Sequence, residues 1–464
     1  MLDPSTMNNV ITRFAPSPTG NLHIGGVRTA LYNYLIAKKY HGKFLLRIED
    51  TDRERSKEEY VQDILQSLQW LNITWDQLVF QSQRSDLYIN HLKILEEKGS
   101  VYKCFCEKDR LEALRKDQME KKLPIKYDKK CLLNPAPNHG SFVYRLKNER
   151  HEKIIIKDNV LGEVTFDPKE FDDLIIRRSD GTFTYNYVVV IDDIDLKITH
   201  VIRGVDHLNN TAKQILLYEA LGKSLPEFAH IPLIMGSDGK RLSKRHGAAS
   251  LLEYKTAGFL PEALNNFLAR IGWGYKDEEI FTLDELLQKF ELNSINPSHG
   301  IFNYEKLLWL NGHYLSKKNP AEIISLIKEQ LGVAIGDVPA SLIELIKPRS
   351  KTLQELYDQL LFYVNDEITI QDDAKKMIPP EMIKPAQDLI EEFKANSEWN
   401  KQMLEQSFQK VITKHSLKLV QLAQFVRAAV TGKKASPGIF EIIEILGKDR
   451  TIRRIESATH FGME

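Results

Sequence analysis

A turn rich in proline and glycine carries residue types that suit the binding of a phosphate group. It spans residues 13–26, with the sequence RFAPSPTGNLHIGG. The β-branched residues before the turn predict a strand, and the apolar spacing of residues 27–40 predicts a helix that opens on Gly25 and Gly26. Backbone N–H groups and the positive end of the helix dipole favour phosphate at such a turn. His23 is placed to donate a hydrogen bond to a phosphate oxygen.

A second stretch, residues 237–247 (SDGKRLSKRHG), is predicted to be a polar and strongly basic loop. Together the HIG turn and the LSK loop resemble the two signature motifs of class I aminoacyl-tRNA synthetases. The sequence of residues 14–26, followed by RIEDTD at 47–52, resembles the bacterial glutamyl branch in particular. Gly26 stands where many class I enzymes carry a second histidine, and glycine is common there in this branch. The resemblance extends over nearly the whole chain.

The resemblance implies ATP-dependent activation of L-glutamate and its transfer to the 3′ end of tRNA-Glu. The protein must then hold two anions against each other and stabilise the charge that develops on the phosphates. His23 and Lys244 are the catalytic candidates, and Lys244 suits contact with pyrophosphate as a point cation, supported by Lys240. ATP is expected with Mg²⁺, which its phosphates mainly bind. The ATP-binding candidates are Gly25, Gly26, Asp206, Leu233, Ile234, Arg241 and Lys244.

Glutamate has two carboxylates and one ammonium, so its site needs two cationic groups and one acid. Arginine suits bidentate carboxylate recognition. Arg13 and Arg203 both lie at the ends of predicted strands, and Glu49 at another strand end can take the ammonium. Which arginine takes which carboxylate is left open. The resemblance gives the glutamate-binding set as Arg13, Ala15, Ser17, Glu49, Tyr185 and Arg203.

The three cysteines of the chain, Cys104, Cys106 and Cys131, fall in one segment. Their spacing suits one tetrahedral Zn²⁺, which requires a fourth ligand. Some glutamyl enzymes carry such a site, with a tyrosine or a histidine near the last cysteine as the fourth ligand. Leu133 stands where the histidine would be, so Tyr127 is the candidate. Three buried, purely apolar cysteines are the other interpretation.

Alternating strand and helix patterns predict an α/β Rossmann-like nucleotide-binding domain with an α+β insertion, followed by an all-α C-terminal region. Strands are predicted at 185–191, 199–207 and 231–235 in the second half of the nucleotide-binding domain. The predicted domains are the two Rossmann halves, an acceptor-arm insertion, a stem-contact helical domain and an anticodon-binding domain, at residues 1–100 and 173–250, 101–172, 251–318 and 319–464 respectively.

Composition limits the partners and the compartment. The chain has 464 residues, with 64 Lys plus Arg balanced by 64 Asp plus Glu, so RNA binding must rely on local basic patches such as 121–130 and 433–434. No apolar run approaches the roughly 20 residues that span a bilayer. The first residues do not resemble a secretory signal, and three cysteines suit a reducing cytoplasm. Nothing marks a coiled coil or a large apolar surface helix, which favours a monomer.

Three alternatives remain at this stage. The enzyme charges tRNA-Glu alone, or it also charges tRNA-Gln, or the chain is a catalytically silent tRNA-binding protein. Intact His23, Lys244, Arg13 and Glu49 argue against the silent protein. The choice between the two tRNAs depends on anticodon contacts that the sequence does not locate.

Overall fold

A computed structural model describes residues 9–52, 54–135, 140–240, 242 and 250–461. The chain divides into two compact units. The first comprises Met1–Leu252 and Leu264–Tyr304, and the second comprises Glu253–Ala263 and Glu305–Glu464. The first unit contains both strands and helices, and the second is helical.

The described strands all lie in the first unit and form four sheets. They are β1 (Ile11–Phe14), β2 (Lys43–Ile48), β3 (Gln77–Phe80), β4 (Val101–Cys104), β5 (Val143–Leu146), β6 (Ile154–Asp158), β7 (Gly162–Phe166), β8 (Ile175–Arg177), β9 (His200–Gly204), β10 (Glu227–Ile231), β11 (Ile234–Met235) and β12 (Gly300–Ile301). The sheet orders are β1-β2-β3, β7-β6-β10-β9, β4-β5-β8 and β11-β12.

The α-helices up to residue 317 lie between and after these strands. They are α1 (Ile24–Lys39), α2 (Glu58–Trp70), α3 (Ser85–Glu97), α4 (Lys108–Glu120), α5 (Lys130–Leu133), α6 (Tyr185–Asp195), α7 (Leu208–Leu221), α8 (Leu251–Thr256), α9 (Pro261–Arg270), α10 (Leu283–Lys289) and α11 (Tyr304–Lys317). The α/β class with an inserted antiparallel sheet is confirmed.

Parallel pairing places the carboxyl ends of several strands at one edge. β1 pairs in parallel with β2, and β9 with β10. β1 also lies beside β9, and Thr199 N donates to Ile11 O at the start of both strands (2.9 Å). Because ligands of open parallel sheets bind beyond the carboxyl ends of the strands, residues that follow β1, β2, β9 and β10 share one edge.

Residues 185–191 are a helix, so the predicted strand is wrong. The segment is the first part of α6, and Val188 N donates to Thr184 O in its first turn. Residues 187–193 are all buried, and α6 packs on α7. A short run that is buried all round has no periodicity to separate strand from helix. Burial among helices decided the outcome.

The predicted strand at 231–235 is also wrong in its bounds. β10 ends at Ile231, because Pro232 has no N–H to continue a ladder. Ile234 and Met235 instead form β11, which pairs in parallel with β12. β12, at Gly300–Ile301, is the single strand among the described residues after 247.

The C-terminal part is helical as predicted, with no strand among described residues 305–461. Its helices after α11 are α12 (Pro320–Leu326), α13 (Ala340–Ile346), α14 (Leu353–Val364), α15 (Asp372–Lys375), α16 (Ile383–Ala395), α17 (Lys401–Lys414), α18 (Leu419–Thr431), α19 (Ile439–Leu446) and α20 (Lys448–Phe461). Apolar faces of these helices form one continuous core that includes Phe393, Phe408 and Phe425. Across the described residues, every helix is too short or too polar to cross a membrane.

Candidate active site

A cavity of about 330 Å³ lies at the carboxyl edge of the parallel strands. Every described candidate for glutamate or ATP binding lines it. These residues are Arg13, Ala15, Ser17, His23, Gly25, Gly26, Glu49, Tyr185, Arg203, Asp206, Leu233 and Ile234. The structure therefore brings the sequence-derived set together from segments that are far apart in the chain.

The glycine turn is organised by His23, which caps α1. Its Nδ1 accepts a hydrogen bond from Gly26 N (3.2 Å), so in the neutral ring the proton lies on Nε2. The Nε2–H group is the kind of donor that a contact with a phosphate oxygen requires. The Gly26 N–H is committed to this cap and is not directed at a ligand. A Cβ on Gly25 would lie 3.1 Å from the His23 ring, so glycine lets the imidazole pack against the turn.

Arg241 and Lys244 lie outside the described residues. The segment just after the basic loop is nevertheless tied to the glycine turn, because Leu251 N donates to Leu22 O (3.1 Å). Asp63 on α2 accepts from Leu22 N (2.6 Å) and from Ser250 Oγ (3.2 Å). The Asp63 carboxylate thus holds Leu22 of the turn and Ser250 side by side.

Arg13 is anchored by a buried acid that sequence reasoning did not select. Its Nε donates to Asp193 Oδ1 (3.2 Å), and both side chains are nearly inaccessible to solvent. Arg47 Nη1 donates to the same oxygen (2.6 Å), and Arg47 Nη2 donates to Glu49 Oε1 (3.2 Å). These contacts fix Arg13 and Glu49 relative to each other. The available signal was an arginine among the apolar residues 44–48 of β2, since charged residues are almost never fully buried unless paired.

The two terminal nitrogens of the Arg203 guanidinium differ in their hydrogen bonding. Its Nη2 donates to Thr211 Oγ1 (2.5 Å) and Gln214 Oε1 (2.8 Å), both on α7. Its Nη1 is buried and has no partner among the described residues, although Arg203 lines the cavity. A buried unpaired donor costs free energy, so Nη1 is suited to receive an anionic ligand.

Burial controls the protonation of the other polar groups in the cavity. It raises the pKa of the Glu49 carboxyl above its ordinary value, although Arg47 and Arg13 oppose the shift. It also raises the pKa of Tyr185 to about 12. Burial and the neighbouring Arg203 lower the pKa of His207 to about 4, so this ring is neutral at pH 7 and lies 3.1 Å from Tyr185 Oη through Nδ1. An ammonium ligand beside Glu49 would favour its carboxylate form.

The backbone of Leu233 is already engaged at the cavity wall. Its N–H donates to His299 Nδ1 (3.2 Å) and its carbonyl accepts from Gly300 N (3.1 Å). The adjacent Ile234 belongs to β11. Both residues line the cavity as expected, and the short β11–β12 pair holds them in place.

The three cysteines form a second candidate site, away from this cavity. Their Sγ atoms all lie within 4.8 Å of one another, and Cys106 Sγ is 3.5 Å from Cys131 Sγ. Tyr127 Oη lies 3.4 Å from both Cys104 Sγ and Cys106 Sγ. Sulfur ligands at about 2.3 Å from a tetrahedral zinc are a little under 4 Å apart, so the cluster has the size that zinc requires.

Two arginines surround the cysteine cluster. Arg110 Nη1 donates to Cys106 Sγ (3.3 Å), and the Arg145 guanidinium lies over the Tyr127 ring at 4.0 Å from its centroid. The three thiols and the Tyr127 phenol are donor groups of the kind and number that a tetrahedral metal site needs. The donor set and its surroundings therefore fit a zinc ion.

Comparison with known proteins decides the family. Residues 9–309 match the family model described as tRNA synthetases class I (E and Q), catalytic domain. The chain belongs to this class I synthetase family. Residues 307–459 match a further model, described as an anticodon binding domain.

Relatives of this synthetase family are similar over nearly the full chain. A glutamate–tRNA ligase of Thermodesulfovibrio yellowstonii is 44% identical over 96% of this chain and 98% of its own length. One of Syntrophobacter fumaroxidans is 44% identical over 98% of this chain and 99% of its own. The crystal structure of a glutamate tRNA ligase from Elizabethkingia meningosepticum, in complex with its amino acid, superposes with a TM-score of 0.87 at 30% identity, covering 97% of this chain and 99% of that one.

Proposed function

We propose that this class I synthetase is a glutamate–tRNA ligase. The observation that carries the proposal is the cavity, in which Arg13, Arg203 and Glu49 meet the glycine turn of α1. Two buried arginines and one acid match the two carboxylates and the ammonium of glutamate. The named relatives support this assignment, because they cover nearly the entire chain at 44% identity.

Substrate glutamate is held by the charged wall of the cavity. Arg203 Nη1 takes one carboxylate, since it is the buried donor that lacks a partner among described residues. Arg13 takes the other, and Glu49 takes the ammonium. Tyr185 and Ser17 supply hydrogen bonds from the same wall, and Ala15 leaves room for the substrate.

In the first step the α-carboxylate oxygen of glutamate attacks the α-phosphorus of ATP. A P–O bond forms to the carboxylate as the bond to the leaving pyrophosphate breaks. His23 Nε2 donates to the phosphate side, and Lys244 and Arg241 meet the pyrophosphate. Mg²⁺ arrives with ATP and offsets phosphate charge. Asp206, which lines the cavity, is assigned to the ribose.

In the second step a hydroxyl of the terminal tRNA adenosine attacks the carbonyl carbon of glutamyl-adenylate, and AMP leaves. The insertion at 101–172 grips the acceptor end of tRNA, the region 251–318 contacts the stem, and 319–464 contacts the anticodon. We infer a monomeric, cytoplasmic enzyme. Size-exclusion chromatography with light scattering at several protein concentrations tests the monomer, and a mass that doubles with concentration contradicts it.

Charging assays test the function directly. Purified protein is given ATP, Mg²⁺ and labelled glutamate with tRNA-Glu or tRNA-Gln in parallel. Lys244→Ala is expected to lower kcat by about 10²- to 10³-fold, because one preorganised donor to a developing anion is worth that much. Lys223→Ala, on an exposed lysine just after α7, serves as the matched control and is expected to change little.

Each outcome has a distinct meaning. Charging of tRNA-Glu alone identifies a discriminating enzyme, charging of both tRNAs a non-discriminating one, and charging of tRNA-Gln alone a specialised duplicate. Failure to charge either tRNA by folded protein overturns the ligase and favours a silent tRNA-binding protein. Pyrophosphate exchange measured with tRNA present excludes the silent protein.

One structural Zn²⁺ bound by Cys104, Cys106, Cys131 and Tyr127 is the second part of the proposal. It would cross-link β4, the segment after it and α5, and thereby fix the insertion that meets the acceptor end. The purified protein is expected to contain about one zinc per chain by plasma mass spectrometry, and Cys131→Ser is expected to lose it.

The fourth ligand is tested by Tyr127→Phe, which is expected to weaken zinc binding in a competition with a chromogenic chelator. Tyr102→Phe is the matched control, because the Tyr102 hydroxyl donates to Asp173 Oδ2 (2.7 Å) instead of meeting the cysteines. Unchanged affinity in Tyr127→Phe would show a different fourth ligand. Absence of zinc from protein prepared in zinc-supplemented medium would favour the apolar interpretation.

A further inference from the structure

The inserted hairpin β6–β7 belongs to the same sheet as β9 and β10, whose ends line the substrate cavity. β6 lies beside β10 in the order β7-β6-β10-β9, and Asn159 N donates to Phe228 O (2.9 Å). Asp158 is the last residue of β6, and its side chain is completely buried. A carboxylate from the insertion is thereby placed next to the strand whose end forms the cavity wall.

The Asp158 carboxylate contacts two groups of His230, a residue of β10. The His230 backbone N–H donates to the carboxylate (3.1 Å to Oδ2), and the ring Nδ1 lies 2.6 Å from the same oxygen. Burial lowers the pKa of His230, and the nearby Arg203 lowers it further, against the opposing effect of Asp158. The ring is therefore neutral with its proton on Nδ1, and Nε2 is a pure acceptor.

The acceptor atom of His230 faces the residues that hold Arg203. Nε2 lies 2.7 Å from Thr211 Oγ1 and 3.4 Å from Arg203 Nε. Thr211 Oγ1 accepts from Arg203 Nη2 (2.5 Å). Its own proton has two acceptors within reach, His230 Nε2 at 2.7 Å and His207 O at 3.3 Å, and the shorter distance favours Nε2. Asp158, His230, Thr211 and Arg203 thus form one continuous chain that ends at a cavity-lining arginine, whose Nη1 has no partner among the described residues.

We propose that Asp158 is a positioning residue for substrate recognition: through the tautomer of His230 it orients the Arg203 guanidinium toward a substrate carboxylate. The proposal rests on the assignment of Arg203 to glutamate binding made above. It also couples the inserted hairpin to the amino-acid site, because a displacement of β6 would move the carboxylate that sets this chain. Asp158 itself touches no substrate.

The isosteric change Asp158→Asn distinguishes this role from a structural one. Asp158 Oδ1 also accepts from Val160 N and Leu161 N (both 2.9 Å), and an asparagine oxygen can keep these bonds. Its NH₂ would then face His230 Nδ1 and force the proton to Nε2. A donor at Nε2 opposes the Arg203 Nε–H instead of accepting from it, which is the tautomer error that an acid-to-amide change behind a histidine produces.

The test compares steady-state tRNA charging by the full-length wild type and by Asp158→Asn. The KM for glutamate is expected to rise about 10- to 100-fold, the range found when the carboxylate behind a functional histidine is removed. The KM for ATP and the KM for tRNA are expected to stay within about twofold. Glu227→Gln is the matched control, since it is an acid-to-amide change on β10 beside another histidine, His200, without contact to Arg203.

The outcomes separate this proposal from the one on which it rests. If the wild type does not attach glutamate to tRNA, the proposed function fails. If Arg203→Lys leaves the KM for glutamate unchanged, the role of Arg203 fails. If Arg203→Lys raises that KM and Asp158→Asn does not, or raises all three KM values alike, the positioning role is overturned.

Two further measurements test the same chain of contacts: a double variant, and a substitute for Asp158→Asn. In the Arg203→Lys background, Asp158→Asn is expected to add less than about twofold to the KM for glutamate, because both changes act on one contact. Multiplicative effects would contradict the chain. Should Asp158→Asn not fold, His230→Gln is measured instead, and it must show the same selective rise in the KM for glutamate for the proposal to stand.

Discussion

Replacement of Arg203 by leucine is expected to lower kcat/KM for glutamate by roughly 100- to 5,000-fold, because truncating one partner of a buried charge pair costs about 3–5 kcal/mol and each 1.4 kcal/mol is a factor of ten. Arg203 is buried at the cavity, held on α7 through Nη2, and unpaired at Nη1 among the described residues. Without its guanidinium the substrate carboxylate would be desolvated without a partner. Most of the loss is expected in the KM for glutamate.

The measurement is tRNA charging at varied glutamate, with circular dichroism to verify folding. Arg203→Lys keeps the charge and loses the fork that orients it, so an intermediate loss is expected. Arg178→Leu is the control, since Arg178 is exposed and bonds only within its own turn to Thr182 and Phe183. A folded Arg203→Leu protein with an unchanged KM for glutamate would remove Arg203 from the substrate site.

Asp193→Asn is expected to lower the free energy of unfolding of the first unit by about 3–5 kcal/mol, as for other buried ion pairs that lose one partner. Asp193 accepts hydrogen bonds from Arg13 and Arg47, and all three side chains are nearly inaccessible. Loss of its charge would leave two buried arginines under-compensated. Urea unfolding is monitored by amide hydrogen exchange in β1 and α6, because these elements belong to the first unit.

The matched control for that prediction is Asp195→Asn on the same helix. Asp195 is partly exposed and pairs with Arg84, so a loss of at most about 1 kcal/mol is expected. Equal losses in the two variants would contradict a special role for the buried pair.

The same pair predicts a direction for pH dependence. Arg13 and Arg47 lower the pKa of Asp193 below its ordinary value, although burial opposes them. A depressed carboxyl pKa contributes stability above the unfolded pKa of about 4, and that contribution is lost as the pH falls through the folded pKa. The stability difference between wild type and Asp193→Asn is therefore expected to be constant from pH 7 to about pH 5 and to shrink below about pH 4. A difference that grows on acidification would contradict this assignment.

Local sequence patterns were sufficient for much of the fold. The strand, turn and helix around His23, the class of the first unit and the helical C-terminal region follow from periodicity and from turn chemistry. Strand-end position and the family resemblance selected Arg13, Glu49 and Arg203, and these three residues line one cavity. They lie together because the ends of parallel strands share one edge of a sheet.

Tertiary packing decided the features that no local pattern could reveal. Residues 185–191 belong to a helix that packs on α3 and α7, and from residue 187 onward every side chain of the segment is buried, so strand and helix have the same apolar signature there. The contacts of Asp193 with Arg13 and of Asp158 with His230 join residues 180 and 72 positions apart. By itself the sequence determined which chemical groups are present and the local elements that carry them. The partners of buried charges were decided only by the tertiary structure, because desolvation forces each such group to find whichever opposite charge the packed strands and helices bring within reach.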